Sequence, residues 1–468
     1  MGVVVMTVPE PNYPAKADAL FADLYELTMM QAYLREGLGE TAVFSLFVRR
    51  LPPTRNYLIA CGLETVLDFL EHVRFSKDDI SYLSSLSLFT PEFLDWLLDF
   101  HFTGDVFAVP EGTPVFGNEP LLEIVAPLPQ AQYFETFVMN QIHLQTLLAS
   151  KAARVVTAAR GRKVIDFGAR RMHGTDAANK AARAFHVAGV AATSNLSASR
   201  RYGIPAAGTM GHSYIQAHET ECGAFRAFAN IYPETVLLID TYDTIEAAKK
   251  IVSLAKTNND RFWISAVRLD SGDLAMLARE VRSLLDAAGL KRVEIVASGG
   301  LDEFEIDRLI TDGAPIDCFG VGTSMGVSSD APGLDIAYKL TEYDSVGRLK
   351  LSKGKATLPG RKQIFRRELN GKFISDEIAR AGETRPDRPL LRCVMKNGRR
   401  VFGETENLET IKRRVCNDLA SLPEALLSLK SATSHYPVEI SAALAAYDLE
   451  VRYEIAQRQT HSVGQGTK

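Results

Sequence analysis

The sequence lacks the cysteine pattern of a disulfide-bonded or zinc-bound scaffold. Its 468 residues include five cysteines, an odd number without a CxxC pair: Cys61, Cys222, Cys318, Cys393 and Cys416. Disulfide frameworks and structural zinc sites need cysteines in paired spacings. The scattered positions instead favour reduced thiols, as in cytoplasmic proteins.

The sequence also lacks a long hydrophobic run. No stretch reaches the roughly 20 apolar residues that span a bilayer. The first residues, MGVVVMTVPEPNYP, have no basic segment before a short apolar run, so we do not expect them to act as a secretion signal. Met6 stands where myristoylation of Gly2 requires serine or threonine. We therefore expect a soluble, cytoplasmic protein with no membrane partner.

An excess of charge of one sign is absent too. Lys and Arg number 53 against 57 Asp and Glu, which gives a net charge of -4 and no basic surface for nucleic acid. A local basic pocket remains compatible with this balance. Hydrophobic residues make up 46% of the chain, enough for a large buried core.

The chain divides by pattern into three regions. Residues 1–148 mix a helical segment, ALFADLYELTMMQAYLREG, with strand-like runs, and we predict an N-terminal α+β domain there. Residues 149–330 have a different, repetitive pattern. Residues 331–468 begin with strand and turn segments that we expect to pack on the N-terminal domain, followed by helical segments.

The middle region alternates short apolar runs with Ala- and Leu-rich helical segments. The seven runs are KVIDFG, HVAGVAATSN, IPAAGTMGH, TVLLIDTYD, FWISAVRLDSGD, VEIVASGG and PIDCFGVGTS. Repeated strand–helix units predict a parallel sheet. The fold class is therefore α/β: an irregular, TIM-like βα barrel of about seven strands, with a mixed α+β domain built from the two terminal regions.

Polar groups follow these runs, where βα barrels carry their functional residues. The groups are Gly168-Ala169-Arg170-Arg171, Thr193-Ser194-Asn195, His212, Asp240 with Asp243, Arg268 with Asp270, Ser271 and Asp273, Ser298-Gly299-Gly300, and Gly322-Thr323-Ser324. Arginine side chains and the backbone N–H groups of glycine loops bind phosphate, and carboxylates suit Mg²⁺ or ribose hydroxyls. The pattern indicates a phosphorylated sugar and a second polyphosphate as ligands.

Two other interpretations have weaker support. GVGTSMG has one residue too many for the dinucleotide fingerprint and comes late in the chain. His212, His218, Glu219 and Cys222 match no standard zinc spacing, because H-x₅-H does not place both rings on one helix face. His212 by itself is compatible with an ordinary loop residue.

Together, the motifs of the chain resemble those of the nicotinate phosphoribosyltransferase family, which has the type II phosphoribosyltransferase fold. The resemblance runs through most of the chain and rests on ADLYELTMM, FGARRMHG, ATSN, GTMGHS, DTYDT, RLDSGD, ASGGLDE, GVGTS and LSKGKATLPGRKQIFR. It implies transfer of phosphoribosyl from phosphoribosyl pyrophosphate to nicotinate, in NAD salvage. It also implies Mg²⁺ as cofactor, ATP as a coupled co-substrate and a homodimer with a shared active site.

The resemblance also implies roles for individual residues. His212 would carry a transient phosphoryl group, Asp240 would orient His212 or its phosphate, and Asp270 would lie near the ribose. Phe167 and Tyr25, the latter from a neighbouring subunit, would enclose the pyridine ring. Arg170 would neutralise pyrophosphate. The remaining binding residues would be Ser194, Thr209, Arg268, Gly299, Gly300, Gly322 and Thr323.

Ser194 bears on which base is bound. The related nicotinamide enzymes carry Asp at this point, which accepts from a carboxamide but repels a carboxylate, whereas Ser194 donates a hydrogen bond. A nicotinamide phosphoribosyltransferase therefore remains an alternative. A βα-barrel lyase or aldolase acting on a sugar phosphate is another, although Lys163 begins its strand rather than ending it. A binding or regulatory subunit without catalytic activity is the last.

Overall fold

A computed structural model describes residues 18–257, 263–352, 357–401, 406–433 and 435–464. The chain forms two compact units. The middle unit spans residues 148–332, and the flanking unit combines the described residues up to 147 with those from 333 onward. In the described part of the chain, no helix is long and apolar enough to cross a membrane.

The N-terminal part of the chain supplies the first helices and strands of the flanking unit. Thr90 caps one helix by accepting from the backbone N–H of Phe93, and Pro91 follows it at the first helical position, where its missing N–H costs nothing. The elements are α1 (Leu24–Glu36), β1 (Thr41–Val48), β2 (Leu58–Ile59), α2 (Leu63–His72), α3 (Lys77–Ser85), α4 (Pro91–Leu98), β3 (Asp105–Ala108), β4 (Pro114–Val115), β5 (Pro120–Pro127), α5 (Leu128–Tyr133) and α6 (Glu135–Ala158).

The middle unit alternates strands and helices, as its sequence pattern predicts. Asn195, Asp273 and Asp302 each end a loop and cap the helix that follows by accepting from backbone N–H groups. The elements are β6 (Lys163–Asp166), α7 (Thr175–Val187), β7 (Ala192–Thr193), α8 (Leu196–Tyr202), α9 (His212–Gln216), α10 (Glu221–Ile231), β8 (Thr235–Leu238), α11 (Thr244–Thr257), β9 (Ile264–Leu269), α12 (Leu274–Ala287), β10 (Glu294–Ala297), α13 (Glu303–Thr311), β11 (Cys318–Val321) and α14 (Thr323–Gly326).

The strands of the middle unit form one six-stranded parallel sheet in the order β7-β6-β11-β10-β9-β8. The sheet is curled, because one inner cluster gathers side chains from all six strands: Ile165, Ala192, Val236, Ala266, Val296 and Cys318. Ala207, from the segment after α8, packs against the same cluster. The expected parallel sheet is confirmed as a curled half-barrel.

The expectation of about seven strands is wrong for one run. In the described structure IPAAGTMGH makes a single parallel bridge, between Thr193 and Ala206, instead of a strand. Pro205 has no N–H to donate, and Gly208 has no side chain that favours an extended ladder. The segment therefore passes beside β7 with two backbone hydrogen bonds, Thr193 to Pro205 and Ala207 to Thr193.

The C-terminal part of the chain completes the flanking unit. Its elements are β12 (Ile336–Tyr343), β13 (Val346–Gly347), β14 (Lys362–Leu369), β15 (Lys372–Arg380), β16 (Arg388–Pro389), β17 (Arg392–Lys396), β18 (Arg399–Arg400), α15 (Leu408–Ser421), β19 (Val438–Ile440) and α16 (Ala442–Gly464). Residues 353–356 of the LSKGKATLPGRKQIFR motif lie outside the described residues. β12 pairs antiparallel with β1, so strands from both ends of the chain share one seven-stranded sheet in the order β13-β12-β1-β5-β3-β17-β18.

Candidate active site

The carboxyl ends of the six parallel strands lie at one edge of the sheet, and two adjoining cavities open there. The glycine-loop cavity, about 310 Å³, is lined by Ser298, Gly299, Gly300, Gly322 and Thr323. The histidine cavity, about 490 Å³, is lined by Ser194, Gly208, Thr209, Gly211 and His212. Four residues line both cavities: Phe167, Arg170, Arg268 and Asp270. Of the residues to which the family resemblance gives a role, all but Asp240 and Tyr25 line one or both of these cavities.

Arg268 is the centre of the hydrogen-bond network between the cavities. Its Nε donates to Ser298 Oγ at 2.8 Å, Nη1 to Thr209 Oγ1 at 2.8 Å and Nη2 to Asp270 Oδ1 at 2.7 Å. The guanidinium group also lies 5.4 Å from the centre of the Phe167 ring. A planar guanidinium held from three sides keeps one orientation, so the cation and the aromatic wall are arranged before any ligand binds.

Asp270 presents a carboxylate that stays ionised. Burial opposes its charge, but hydrogen bonds from Ser298 Oγ and from Arg268 outweigh burial, and the pKa of Asp270 falls below its usual value. Both bonds go to Oδ1, whereas Oδ2 lies 3.9 Å from Nε2 of His212. One carboxylate oxygen is therefore fixed by the protein and the other faces the histidine cavity.

His212 is the first residue of α9, and its side chain is about two-fifths exposed. Its Nδ1 lies 3.1 Å from the hydroxyl of Thr241, and its Nε2 faces Asp270. In this structure Thr241 rather than Asp240 contacts the His212 ring, and a role for Asp240 in orienting a phosphate on His212 stays a prediction. Thr241 follows Asp240 directly, and its hydroxyl rather than the neighbouring carboxylate points toward the ring.

Asp240 instead organises the loop after β9. Its Oδ2 accepts from the backbone N–H of Asp270 at 3.1 Å and from the hydroxyl of Ser271 at 2.5 Å. Its Oδ1 is buried and has no hydrogen-bond partner among the described residues. A buried carboxylate oxygen without a donor is costly, so this atom has an unused capacity to bind a cation or water.

Asp166, which the sequence pattern does not single out, connects two loops of the site. Its buried carboxylate accepts from the backbone N–H of Gly168 at 2.8 Å and from Thr193 Oγ1 at 2.7 Å, while its carbonyl accepts from Ser194 N–H. Burial raises the pKa of Asp166, although these hydrogen bonds oppose that shift. The signal available in the sequence is an acidic residue at the end of the apolar run KVID, where a charge needs buried donors.

Two glycines allow the backbone and the aromatic wall to approach closely. A Cβ on Gly299, whose φ is +90°, would lie 1.8 Å from the carbonyl oxygen of Asp270. A Cβ on Gly320 would lie 2.5 Å from ring atoms of Phe167. Gly299 therefore lets the β10 loop pass against the β9 loop, and Gly320 makes room for the ring.

The remaining predicted residues differ in how firmly they are held. Arg170 and Ser194 are exposed and line the cavity walls. Thr209 is held by Arg268, and Arg171 reaches Thr323 with a 3.4 Å contact between Nη1 and Oγ1. Exposed polar groups of this kind are available to a ligand.

Tyr25 belongs to the flanking unit, on α1, and its side chain is 44% exposed. Burial of its hydroxyl, with Glu135 and Glu26 nearby, raises the pKa of Tyr25, so the phenol is neutral at physiological pH. Tyr25 is thus an exposed, neutral aromatic residue of the flanking unit. Phe167, the other aromatic residue predicted to enclose the ring, belongs to the middle unit.

The site combines a fixed guanidinium, an ionised carboxylate, an aromatic wall and two glycine loops at the carboxyl edge of a parallel sheet. Open α/β sheets bind ligands at this edge. The fold and the site therefore define an α/β enzyme with a site suited to an anionic ligand.

Comparison with known proteins identifies the family. Residues 20–143 match the nicotinate phosphoribosyltransferase N-terminal domain, and residues 162–367 match the nicotinate phosphoribosyltransferase family. A nicotinate phosphoribosyltransferase of Mycobacterium tuberculosis (strain H37Rv) is 53% identical over 423 residues, which cover 90% of this chain and 91% of that protein. The Bacillus subtilis nicotinate phosphoribosyltransferase is 39% identical over 81% of this chain and 80% of its own. The chain belongs to the nicotinate phosphoribosyltransferase family, as its motifs predict.

Solved structures agree with this assignment. Human nicotinic acid phosphoribosyltransferase superposes with a TM-score of 0.82 at 26% identity, covering 92% of this chain and 100% of that one. The nicotinate-nucleotide pyrophosphorylase of Pyrococcus furiosus has a TM-score of 0.71 at 24% identity, over 88% and 99% of the two chains, and shares the fold.

Proposed function

We propose that the chain transfers the phosphoribosyl group of phosphoribosyl pyrophosphate to nicotinate, which gives nicotinate mononucleotide and pyrophosphate, in NAD salvage. The observation that carries this proposal is the pair of adjoining cavities, which share Phe167, Arg268 and Asp270 at their junction. A ribose at this junction, beside the ionised Asp270, would connect a phosphate on the glycine loops to a ring against Phe167.

The reaction makes modest demands on acid–base chemistry. The pyridine nitrogen is already a neutral nucleophile, so no general base is needed. The barrier lies in the positive charge that grows at the ribose anomeric carbon and the negative charge on the leaving pyrophosphate. Arg170, which is exposed on the wall of both cavities, would neutralise the pyrophosphate, and Asp270 would stabilise the positive charge on the ribose.

Mg²⁺ fits the carboxylates of this site as a cofactor. In the part of the chain that the structure describes, no three His, Cys, Asp or Glu side chains converge as a complete metal site. Mg²⁺ is commonly held by one or two carboxylates together with substrate phosphates. The buried Oδ1 of Asp240, which has no partner among the described residues, and the Oδ2 of Asp270, which faces His212, would supply those carboxylates. The bound ion would neutralise pyrophosphate charge.

Ser194 is the residue through which we propose that nicotinate is preferred over nicotinamide. It lies in the histidine cavity at the end of β7, with its backbone fixed by Asp166. A serine hydroxyl donates to the nicotinate carboxylate, whereas an aspartate at this place would repel it.

Ser194→Asp is therefore expected to lower kcat/KM for nicotinate by about 100-fold, because like charges in contact cost several kcal/mol. Ser194→Ala is the matched control. Its kcat/KM for nicotinate should fall by less than about tenfold, because the change removes only one hydrogen bond. The KM for phosphoribosyl pyrophosphate should stay unchanged in both variants. Initial rates with each base provide the measurement. Full nicotinate activity in Ser194→Asp would place the carboxylate elsewhere.

We further propose that ATP hydrolysis is coupled to transfer through phosphorylation of His212. The ring is held by Thr241, partly exposed, and faces the larger cavity, so an incoming phosphoryl group has access to it. A phosphohistidine adds negative charge beside the proposed Mg²⁺ carboxylates, and this change can tighten binding of the other substrate.

His212→Ala is expected to lose the stimulation by ATP while retaining ATP-independent transfer. The transfer itself needs the pyridine nitrogen of nicotinate and the glycine loops, and the substitution changes neither. His218→Ala is the matched control, since His218 lies nearby but contacts the carbonyl of Tyr214. Rates with and without ATP, together with acid-labile label from γ-labelled ATP, provide the measurement. Undiminished ATP stimulation in His212→Ala would show that His212 takes no part in coupling ATP hydrolysis to transfer.

We propose that the active form is a homodimer with a shared site. Tyr25 of one copy would cover the face of the ring opposite Phe167 of another, and its exposed, neutral phenol suits that place. We also propose that the curled sheet forms part of an irregular, TIM-like barrel, with residues 205–207 passing beside β7.

The lyase or aldolase alternative has no structural support. A Schiff-base mechanism needs a lysine in the cavity. Among the described residues, the walls of both cavities contain arginines but no lysine, and Lys163 begins β6 at the opposite end of the strand.

A further inference from the structure

The two glycine loops of the site are each followed by an acidic residue, and both acids contact the same lysine. Glu303 comes three residues after Gly300, and Asp330 comes seven after Thr323. The Nζ of Lys151, on α6, lies 2.5 Å from Glu303 Oε2 and 2.8 Å from Asp330 Oδ1. We propose that Lys151 is a positioning residue that holds both loops at the spacing required by the 5′-phosphate. This inference rests on the proposed function.

Burial makes this contact set an effective constraint. Lys151, Arg154, Glu303 and Asp330 form what we call the loop clamp, with side chains 1%, 5%, 0% and 19% exposed. Arg154 adds a bond from Nε to Glu303 Oε1 at 3.0 Å. The charges of the two cations and two anions cancel. Dissolved ions screen the attraction within such a buried set far less than within a surface ion pair.

The clamp acts on the loops through rigid elements. Glu303 begins α13, the helix that continues from the β10 loop, while Asp330 follows α14, which continues from the β11 loop. Ser324 Oγ also donates to the carbonyl of Leu301 at 3.0 Å, which joins the two loops directly. A shift of either loop would therefore break a buried charged contact.

The clamp also removes an electrostatic conflict. An uncompensated carboxylate at Glu303, close in sequence to the phosphate loop, would repel a bound phosphate. Its two oxygens are occupied by Lys151 and Arg154. The clamp thus fixes the geometry and cancels a charge that would weaken phosphate binding.

The test is Lys151→Met in the full-length protein, with Arg160→Gln as the matched control. Arg160 makes an exposed ion pair to Asp307 on the same helix α13. The expected result is a KM for phosphoribosyl pyrophosphate at least about tenfold higher than that of the wild type. A shift of binding groups by ~1 Å can reduce enzyme activity by up to ~10²-fold. The KM for nicotinate should stay within about twofold, and Arg160→Gln should resemble the wild type.

Binding of inorganic phosphate, measured by calorimetry, separates this proposal from the proposed function. Weaker phosphate binding in Lys151→Met supports the clamp even if the wild-type protein performs no transfer, which would overturn only the function. Unchanged phosphate binding and unchanged KM, or equal changes in both KM values, would overturn the clamp. If Lys151→Met does not fold, Asp330→Asn decides by the same measurements, since it keeps the Lys151–Glu303 contact.

Discussion

Replacing Gly299 with alanine is expected to impair the use of phosphoribosyl pyrophosphate severely. The new Cβ would lie 1.8 Å from the backbone oxygen of Asp270, and φ at this position is +90°. Backbone strain of this kind costs about 1–3 kcal/mol. The overlap can be relieved only by moving the β10 loop, which carries Gly299, away from the β9 loop, which carries Asp270. Because both loops line the glycine-loop cavity, kcat/KM for phosphoribosyl pyrophosphate should fall by about 10²-fold or more.

The neighbouring glycine provides the control for this variant. Gly300 also has a positive φ, +64°, but a Cβ there would meet no atom within 4 Å. Gly300→Ala therefore imposes similar strain without the collision and should keep most of the activity. Steady-state kinetics of the two variants, with circular dichroism to check folding, provide the comparison. Equal activity of the two variants would show that the close contact between the β10 and β9 loops is unimportant for the reaction.

The second large effect is expected for Arg268→Gln. This change removes the cation that holds Ser298, Thr209 and Asp270 and that lies over Phe167. Loss of a single preorganised donor commonly lowers kcat by about 10²–10³-fold, and Arg268 supplies several contacts, so we expect at least that decrease. The pKa of Asp270 should also rise, because one of the hydrogen bonds that lowers it is lost.

Arg282→Gln is the control for the loss of a partly buried arginine. Arg282 lies on α12 and donates to the carbonyls of Val293 and Leu290, away from both cavities. It should lower the free energy of unfolding while leaving kcat unchanged. Initial rates and thermal unfolding of both variants are the measurements. If Arg268→Gln retained wild-type kcat, the hydrogen-bond network around Arg268 would have no part in the reaction.

The parallel sheet is predictable because its strands are short apolar runs separated by amphipathic helices. The functional edge of that sheet is predictable as well, since parallel strands place the loops after their carboxyl ends on one side. Arg268, Asp270, His212 and the glycine loops are candidates for this reason, and they line adjoining cavities.

Side-chain direction is less predictable. Asp240 and Thr241 are neighbours in sequence, and only the backbone path after β8 decides which of them reaches His212. Asp166 escapes prediction because its partners, Gly168 and Thr193, come together only when β6 and β7 pair. The run IPAAGTMGH resembles a full strand because its apolar residues outweigh Pro205 in the pattern. Contacts between separate loops are set by the fold, and a single sequence does not reveal them.

The most direct test measures initial rates of mononucleotide formation from phosphoribosyl pyrophosphate and Mg²⁺, with nicotinate or nicotinamide, each with and without ATP. We expect rapid turnover of nicotinate that ATP increases, and little product from nicotinamide. A preference for nicotinamide would contradict the role of Ser194, and no product from either base would contradict the proposed reaction itself.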